Sequence, residues 1–468
     1  MNLRPYQREF VEGLREKIRQ GHKRIVGVLP TGAGKTVVGS YLVQSSVERD
    51  NLTWWLAHRK ELIDQPSKTF HDFDIPHSFI RSKYPYREGS MVQIGSIPTV
   101  AKRLGKLVRP RLMIMDEGHH IGAATWQSIL DDNPDAVVIF LTATPIRLDG
   151  QGMGNWATAM VVGPSTRELM DMGYLCDYKM YAPPKQLDLS GIGRQAGDYR
   201  KKALADALNK PSITGDAITH YKQICDGEKG IVFCVNVQHS KDTAQRFCEA
   251  GVKCEHIDGT MPPALRDAIM RRFRAGETTL LSNVDLFDEG LDVPDVVVVI
   301  GLRPSKSMSK ILQQWGRALR MFPGKECAYI LDHAGNSNAT WRDHEGCDQP
   351  VGLPDDERQW TLEDGLRRKK SEASTVVTKT CPECLYVYRP APRCPQCGHS
   401  APVQAREIEV VEGELEEVKR QERVAKKEAR MEVGRAETFE ELLAIEKERG
   451  YKNGWARIRW AQKSKRRN

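Results

Sequence analysis

The chain reads as α/β: two parallel-sheet domains in tandem, followed by a short cysteine-rich module and a helical, basic tail. Three observations carry that reading. Short apolar runs alternate with stretches of helical pattern and end in polar clusters, as in sheets that hold ligands beyond the carboxyl ends of parallel strands. The alternation occurs twice along 468 residues, a length that accommodates roughly three domains of about 150 residues each. Four of the eleven cysteines fall into two Cys-x-x-Cys pairs, while the other seven are scattered.

An apolar content of 40% and a charged content of 28% fit a soluble globular protein with an ample core. The longest apolar runs, such as Val296 to Ile300, fall far short of the ~20 residues that span a bilayer, so no membrane partner is expected. No charged-then-apolar leader precedes Leu3-Arg4-Pro5-Tyr6-Gln7, so the expected compartment is cytoplasmic, where thiols do not build a disulfide framework. A formal charge of +8 favours a polyanionic partner only mildly.

The first domain is expected over residues 1–165. Its strands are expected at Arg24–Leu29, Leu52–Ala57, Met91–Ser96, Arg111–Met115 and Ala136–Leu141. The first runs into Pro30-Thr31-Gly32-Ala33-Gly34-Lys35-Thr36 and then a helical pattern from Val37 to Val47. Backbone N–H groups of such a loop wrap a polyphosphate, Lys35 reaches its outer phosphates, and the Thr36 hydroxyl holds Mg²⁺. Leu29 stands where the strict eight-residue pattern has its outer glycine. Asp116 and Glu117 follow the apolar run Leu112–Met115: one carboxylate can hold Mg²⁺ through water, and its neighbour can polarise an attacking water. Thr142 and Thr144 flank Ala143 at another strand end, where their hydroxyls can hydrogen-bond the acidic pair. The position of His119 points to a link with the second domain.

That second domain is expected over 166–375, with strands at Gly230–Val235, Lys253–Ile257, Thr279–Ser282, Val296–Gly301 and Ala328–Leu331 and helices at Ser240–Ala250 and Pro263–Ala275. A further helix, Lys310 to Arg320, would place Arg317 and Arg320 on a common face. Phosphoryl transfer builds charge on the γ-phosphate oxygens, which a guanidinium from a neighbouring domain stabilises well. Gly316, costly in mid-helix, argues for a close approach there.

Residues 376–402 form the expected zinc ribbon: Cys381, Cys384, Cys394 and Cys397, two knuckles nine residues apart. Tetrahedral Zn²⁺ takes four thiolates, which leave no open position for catalysis; the doubling and the Pro-rich, basic surroundings disfavour redox pairs. Tyr386, Tyr388, Arg389 and Arg393 either contact nucleic acid or make the ribbon's own small core and rim. Residues 403–435 read as an exposed charged helix or a linker, and 436–468 as a small helical, basic end. In that end Glu437-Thr438-Phe439-Glu440-Glu441-Leu442 opens a capped helix. The stretch from Tyr451 to Asn468 carries seven basic residues, no acidic one, and Trp455 and Trp460 among them. Such interleaving suits phosphate contact with base stacking, or a solubilising end around one packed helix. A protein partner could also dock through this C-terminal region.

The ordered motifs resemble those of superfamily 2 helicases of the DEAD/DEAH-type group, over about residues 3 to 335. They are most similar to the phage and bacterial branch of type III restriction enzyme helicase subunits. Arg4–Gln7 resembles the adenine-reading element, Pro30–Thr36 motif I, Leu56–Leu62 motif Ia, Gly95–Val100 motif Ib, Asp116–His119 motif II and Thr142–Pro145 motif III. Val232–Asn236 resembles motif IV, Asn283–Asp292 motif V and Gln313–Arg320 motif VI. Gly118 stands where the family usually has Ala or Cys, and Asn283-Val284-Asp285 where motif V often has Thr-Asp. The resemblance implies two RecA-like domains with ATP in the cleft between them. It implies nucleotide contacts from Arg4, Gln7, Thr31, Gly32, Ala33, Gly34, Lys35, Thr36, Asp116, Gly290 and Asp292. Mg²⁺ would sit on Thr36 and Asp116, and catalysis would fall to Lys35, Glu117, Arg317 and Arg320. His119, Thr142, Thr144 and Gln313 would couple the nucleotide to movement, while His58, Arg59, Thr99, Asn236 and Arg303 would grip a nucleic-acid backbone. The implied activity is that of an ATP-dependent helicase or translocase in replication, recombination or repair, with DNA favoured over RNA. An RNA helicase and the motor subunit of a restriction or nuclease complex are the alternatives.

Overall fold

In the computed structural model, the residues described are 2–59, 61–82, 84–122, 124–147, 150–183, 194–195, 198–199, 211–287, 293–343, 348–363, 365–367, 378–400, 438–448, 454, 456–457 and 460. The apolar runs of the first half become strands because both of their faces are covered, which removes any need for a polar alternate position. They are β1 (Arg24–Val28), β2 (Thr53–Ala57), β4 (Val92–Ser96), β5 (Leu112–Asp116) and β6 (Val137–Thr142), joined by β3 (Ser78–Ile80) and β7 (Ala159–Val162). All seven are parallel, in the order β3-β4-β2-β5-β6-β1-β7. Register does the positioning. Val28 pairs with Thr142, and Asp116 with Leu141, so the loops after β1, β5 and β6 leave one rim side by side.

The second sheet is also parallel. It consists of β8 (Tyr178–Tyr181), β11 (Gly230–Phe233), β12 (Cys254–Ile257), β13 (Leu280–Asn283), β14 (Val298–Gly301) and β15 (Ala328–Leu331). Its order is β12-β13-β11-β14-β15-β8, and a separate hairpin pairs β9 (Arg194–Gln195) with β10 (Asp198–Tyr199). In the two large sheets, the described strands that the apolar runs did not announce, β3, β7 and β8, are edges. An edge strand is covered less completely, so Tyr178-Lys179-Met180-Tyr181 keeps polar residues that a central strand would not tolerate.

One expected element is shorter than its sequence pattern. The helix anticipated from Lys310 to Arg320 spans Met308–Trp315 and closes at Gly316. Beyond it the backbone is drawn sideways: Cys176 N–H donates to Leu319 O at 2.8 Å, and Leu175 bridges Arg320 in antiparallel fashion. Arg317 and Arg320 therefore lie in a turn packed on another segment, not on one helix face.

Residues 1–401 form one compact unit and 402–468 another. In the second, Thr438 and Glu441 cap the helix Phe439–Glu448 reciprocally, each side chain accepting the other's N–H at 3.2 Å. Leu442, Ile445 and Ala456 make its small core. The stretch Glu407 to Arg435 and most of the basic tail lie outside the described residues, as do Gly290 and Asp292. Among the described residues, no helix is long and apolar enough to cross a membrane.

Candidate active site between the two sheets

The loop after β1 turns through Gly32 at φ 87° and Gly34 at φ 83°, left-handed angles that glycine adopts without a Cβ penalty. Gly34 caps the helix Lys35–Val47 and aims its first N–H groups into the loop. Two side chains of the first helix brace the turn: Tyr6 Oη and Gln7 Nε2 donate to Ala33 O at 2.8 and 3.1 Å. Gln7 Oε1 also accepts from Arg4 N–H at 3.0 Å, so its amide is turned into the loop. The Arg4 guanidinium lies 4.7 Å from the Tyr174 ring centre, and Tyr6 and Tyr174 pack 5.0 Å apart. Lys35 Nζ donates to Leu29 O at 3.4 Å. Burial pushes the Lys35 ammonium pKa down, Glu117 and Asp116 pull it back up, and Arg317 and Arg320 press it down again. A phosphate chain seated here would meet a lysine already surrounded by the other predicted catalytic groups.

Asp116 and Glu117 are both buried, at 5% and 6% exposure. Glu117 adopts φ 50°, ψ 49°, an unusual conformation for a non-glycine residue, and its N–H donates to Asp116 Oδ1 at 3.1 Å. From Glu117 a chain of contacts leads to motif III. Its Oε2 lies 3.4 Å from His119 Nδ1, His119 Nδ1 meets Thr142 Oγ1 at 3.0 Å, and Thr142 Oγ1 donates to Thr144 O at 3.0 Å.

The second half closes on this wall at three points. Gln313 Nε2 donates to Glu117 Oε2 at 3.1 Å. Thr144 Oγ1 meets Ser309 Oγ at 2.5 Å. A Cβ added to Gly316 would sit 2.5 Å from Thr31 Cβ, so the absence of a side chain there permits the approach. Arg317 is buried at 6% exposure, and the Arg320 Cγ lies 3.4 Å from where a Gly32 Cβ would be. Beside this seam is a cavity of about 670 Å³ lined by residues such as Thr31, Thr144, Gly316 and Arg358.

The residues expected to hold nucleic acid are less uniform. Arg59 follows β2 and donates to Asp285 O at 2.8 Å, reaching from one half of the protein to the other. His58 packs 4.2 Å from His120. Thr99, in the first turn of the helix Ile97–Lys102, accepts at Oγ1 from the Oγ of the N-cap Ser96 at 2.7 Å. Asn236 is a helix cap, accepting His239 N–H at 2.7 Å. Arg303 has a setting that its sequence position did not foretell. It is 3% exposed and paired with Asp285 and with Asp198 at 3.2 Å, so in this conformation its guanidinium is enclosed in protein.

The sulfur atoms of Cys381, Cys384, Cys394 and Cys397 lie within 4.8 Å of one another, with Cys381–Cys397 at 3.6 Å and Cys384–Cys394 at 3.7 Å. Thiolates at about 2.3 Å from a tetrahedral zinc stand about 3.8 Å apart, so the four donors fit that ion. The residues after each second cysteine, Leu385 and Gly398, both take left-handed angles, 59° and 75°. The module lies along β8: Ala182 N–H donates to Leu385 O at 3.1 Å, and Tyr181 bridges Tyr386. It thereby covers a sheet edge that would otherwise present unpaired backbone groups.

Sequence reasoning missed Ser309, Lys325 and Arg358. Lys325 donates to Ala318 O, to Arg320 O at 2.9 Å and to Val296 O at 2.6 Å, holding the backbone around both arginines. Arg358 reaches four carbonyls, those of Val351, Leu353, Pro354 and Asp356. No local pattern marks such residues, because their partners come from loop carbonyls that any sequence supplies.

The family described as the type III restriction enzyme res subunit matches residues 1–147, and the helicase conserved C-terminal domain matches 215–322. A 51.5 kDa protein of a Lactococcus phage is 34% identical over 84% of this chain and 82% of its own length. The chain belongs to the superfamily 2 helicases. Other relatives include IRC3 of Saccharomyces cerevisiae, 30% identical over 72% of this chain but only 52% of its own length. The DNA 3'-5' translocase XPB2 of Sulfurisphaera tokodaii is 27% identical over 68% of this chain and 79% of its own. Among solved structures, a fragment assigned as the HsdR subunit of a type I restriction enzyme from Vibrio vulnificus shares the fold. Its TM-score is 0.57 at 20% identity, covering 74% of this chain and 69% of that one. This helicase is an ATP-dependent enzyme with two RecA-like sheets and a four-cysteine module behind them.

Proposed function

We propose that this helicase moves on or remodels DNA, with ATP held between Lys35, Thr36, Asp116 and Glu117 on one wall and Arg317 and Arg320 on the other. The observation that carries the reading is the seam: Gln313 on Glu117, Ser309 on Thr144 and Gly316 against Thr31 join the two halves at the predicted hydrolytic residues. Hydrolysis at such a site is completed by domain closure and released by opening, and that cycle moves two backbone grips relative to each other. Thr36 and Asp116 are the residues that would hold Mg²⁺, which neutralises phosphate charge when bound. The four cysteines would hold a structural Zn²⁺. DNA is favoured because the XPB2 relative is named a DNA translocase. The match of residues 1–147 to a restriction enzyme subunit supports a second reading, a motor that serves a partner's cleavage.

The test is ATP turnover with single-stranded DNA, duplex DNA, branched DNA and RNA, using Lys35→Ala as blank. Stimulation by DNA is expected; stimulation by RNA alone would overturn the DNA reading, and none at all would favour the partner-dependent motor. Metal analysis of freshly purified protein should find about one zinc per chain, lost in Cys394→Ser.

A further inference from the structure

The loop after β3 holds a feature that motifs Ia and Ib do not include. Tyr84 is 47% exposed, yet its ring is not loose. It ends a ladder of rings that begins in the core: Phe70 to His77 at 5.4 Å, His77 to Phe79 at 5.6 Å and Phe79 to Tyr84 at 5.5 Å. The Arg81 guanidinium lies 5.4 Å from the Tyr84 ring centre and 5.8 Å from that of Phe79, and Asp64 holds it at 2.9 Å. Arg103 Nη2 donates to Arg81 O at 3.3 Å, which ties the loop to the end of the Ile97–Lys102 helix. Because β3, β4 and β2 are parallel neighbours, this loop shares a rim with Thr99 after β4 and with His58 and Arg59 after β2. Arg87, Lys102 and Lys106 are exposed in the adjoining segments, and so are the acids Asp64 and Glu88.

A flat, pre-ordered, half-exposed ring among cations on the rim of a nucleic-acid motor matches what an unpaired base needs. We propose that Tyr84 is a stacking platform for a base of single-stranded DNA, extending the track of motifs Ia and Ib to the sheet edge. The inference rests on the DNA-motor reading. It predicts that this contact favours single strands over duplex, whose bases are already stacked.

The experiment measures binding of the full chain to a labelled single strand and to a duplex by fluorescence anisotropy, over a range of salt. Tyr84→Phe should bind the single strand within about two-fold of wild type. Tyr84→Ala and Tyr84→Leu should bind it about ten-fold more weakly, leave duplex affinity unchanged and keep the salt slope, since no charge is removed. Melting curves check that the variants fold. Single-strand binding by Tyr84→Leu equal to wild type would overturn the platform while leaving the motor intact. Failure of the wild type to bind any DNA would remove the motor reading and the platform with it.

Discussion

Arg317 illustrates how much of this site depends on single groups. It is buried, it bears on Lys35 electrostatically, and it comes from the opposite half of the protein. A guanidinium so placed acts on charge that develops in the transition state more than on ground-state binding. Arg317→Ala is therefore expected to bind ATP within a few-fold of wild type and to lose roughly a thousand-fold in turnover, read by nucleotide binding alongside steady-state ATPase. The backbone that carries it is held by Lys325, whose amine is driven down to about 8 by burial, against the opposing pull of Cys176 and Cys327. The ordinary lysine value of 10.5 lies above that. Between the two values the unfolded chain binds more protons than the folded one, so the contribution of this group to stability rises with pH. That contribution is fully present above the unfolded pKa and is lost as pH falls through about 8. Lys325→Met should flatten the rise: its melting temperature should change less between pH 8 and 10 than that of wild type.

At the scale of elements, the short helix Met308–Trp315 is the one of most consequence, because its two ends touch the first half through Ser309 and Gly316. Gly316→Ala would press a methyl group onto Thr31. Overpacking of this kind costs about 1–3 kcal/mol and here falls only on the closed seam. Nucleic-acid-stimulated ATPase should drop about ten-fold or more with little change in melting temperature; unaltered turnover would show that closure does not need this approach. The sequence announced Gly316 as a point of close contact but mistook the element around it, since a helical pattern cannot show that Cys176 will capture Leu319 O. Central strands such as β5 and β14 were legible because burial on two faces leaves an unbroken apolar run. The edge strands β3 and β8 were not, because β3 is only three residues long and Lys179 interrupts β8. Motifs I, II and III were legible as strand ends, and register then brought them together. The setting of Arg303 was not, since its acidic partners Asp198 and Asp285 are far away in sequence.

The whole unit is tied together a second time, away from the nucleotide seam. After the second sheet the chain returns to the first: Trp360 and Leu362 pack on the cluster that contains Trp54, Met113 and Phe140, and Gly154 N–H donates to Leu362 O at 2.7 Å. The same segment is anchored to the second half, where Tyr178 Oη donates to Asp355 at 2.5 Å and Arg389 of the cysteine module pairs with Asp355 at 3.2 Å. Arg358 stiffens the stretch between these anchors by gripping four carbonyls. A strap with one end on each sheet would have to strain or release if the halves opened. Trp360, half-buried on the first sheet, is where release is easiest to provoke. Removing its ring should cost roughly 2 kcal/mol of packing. If the strap restrains opening, Trp360→Ala should raise the KM for ATP several-fold, because closure must then be driven by the ligand. Its kcat should stay near wild type, since no group at the phosphates has changed. A lowered melting temperature with an unchanged KM would mean that Trp360 is ordinary core and that the nucleotide seam alone sets the closed state.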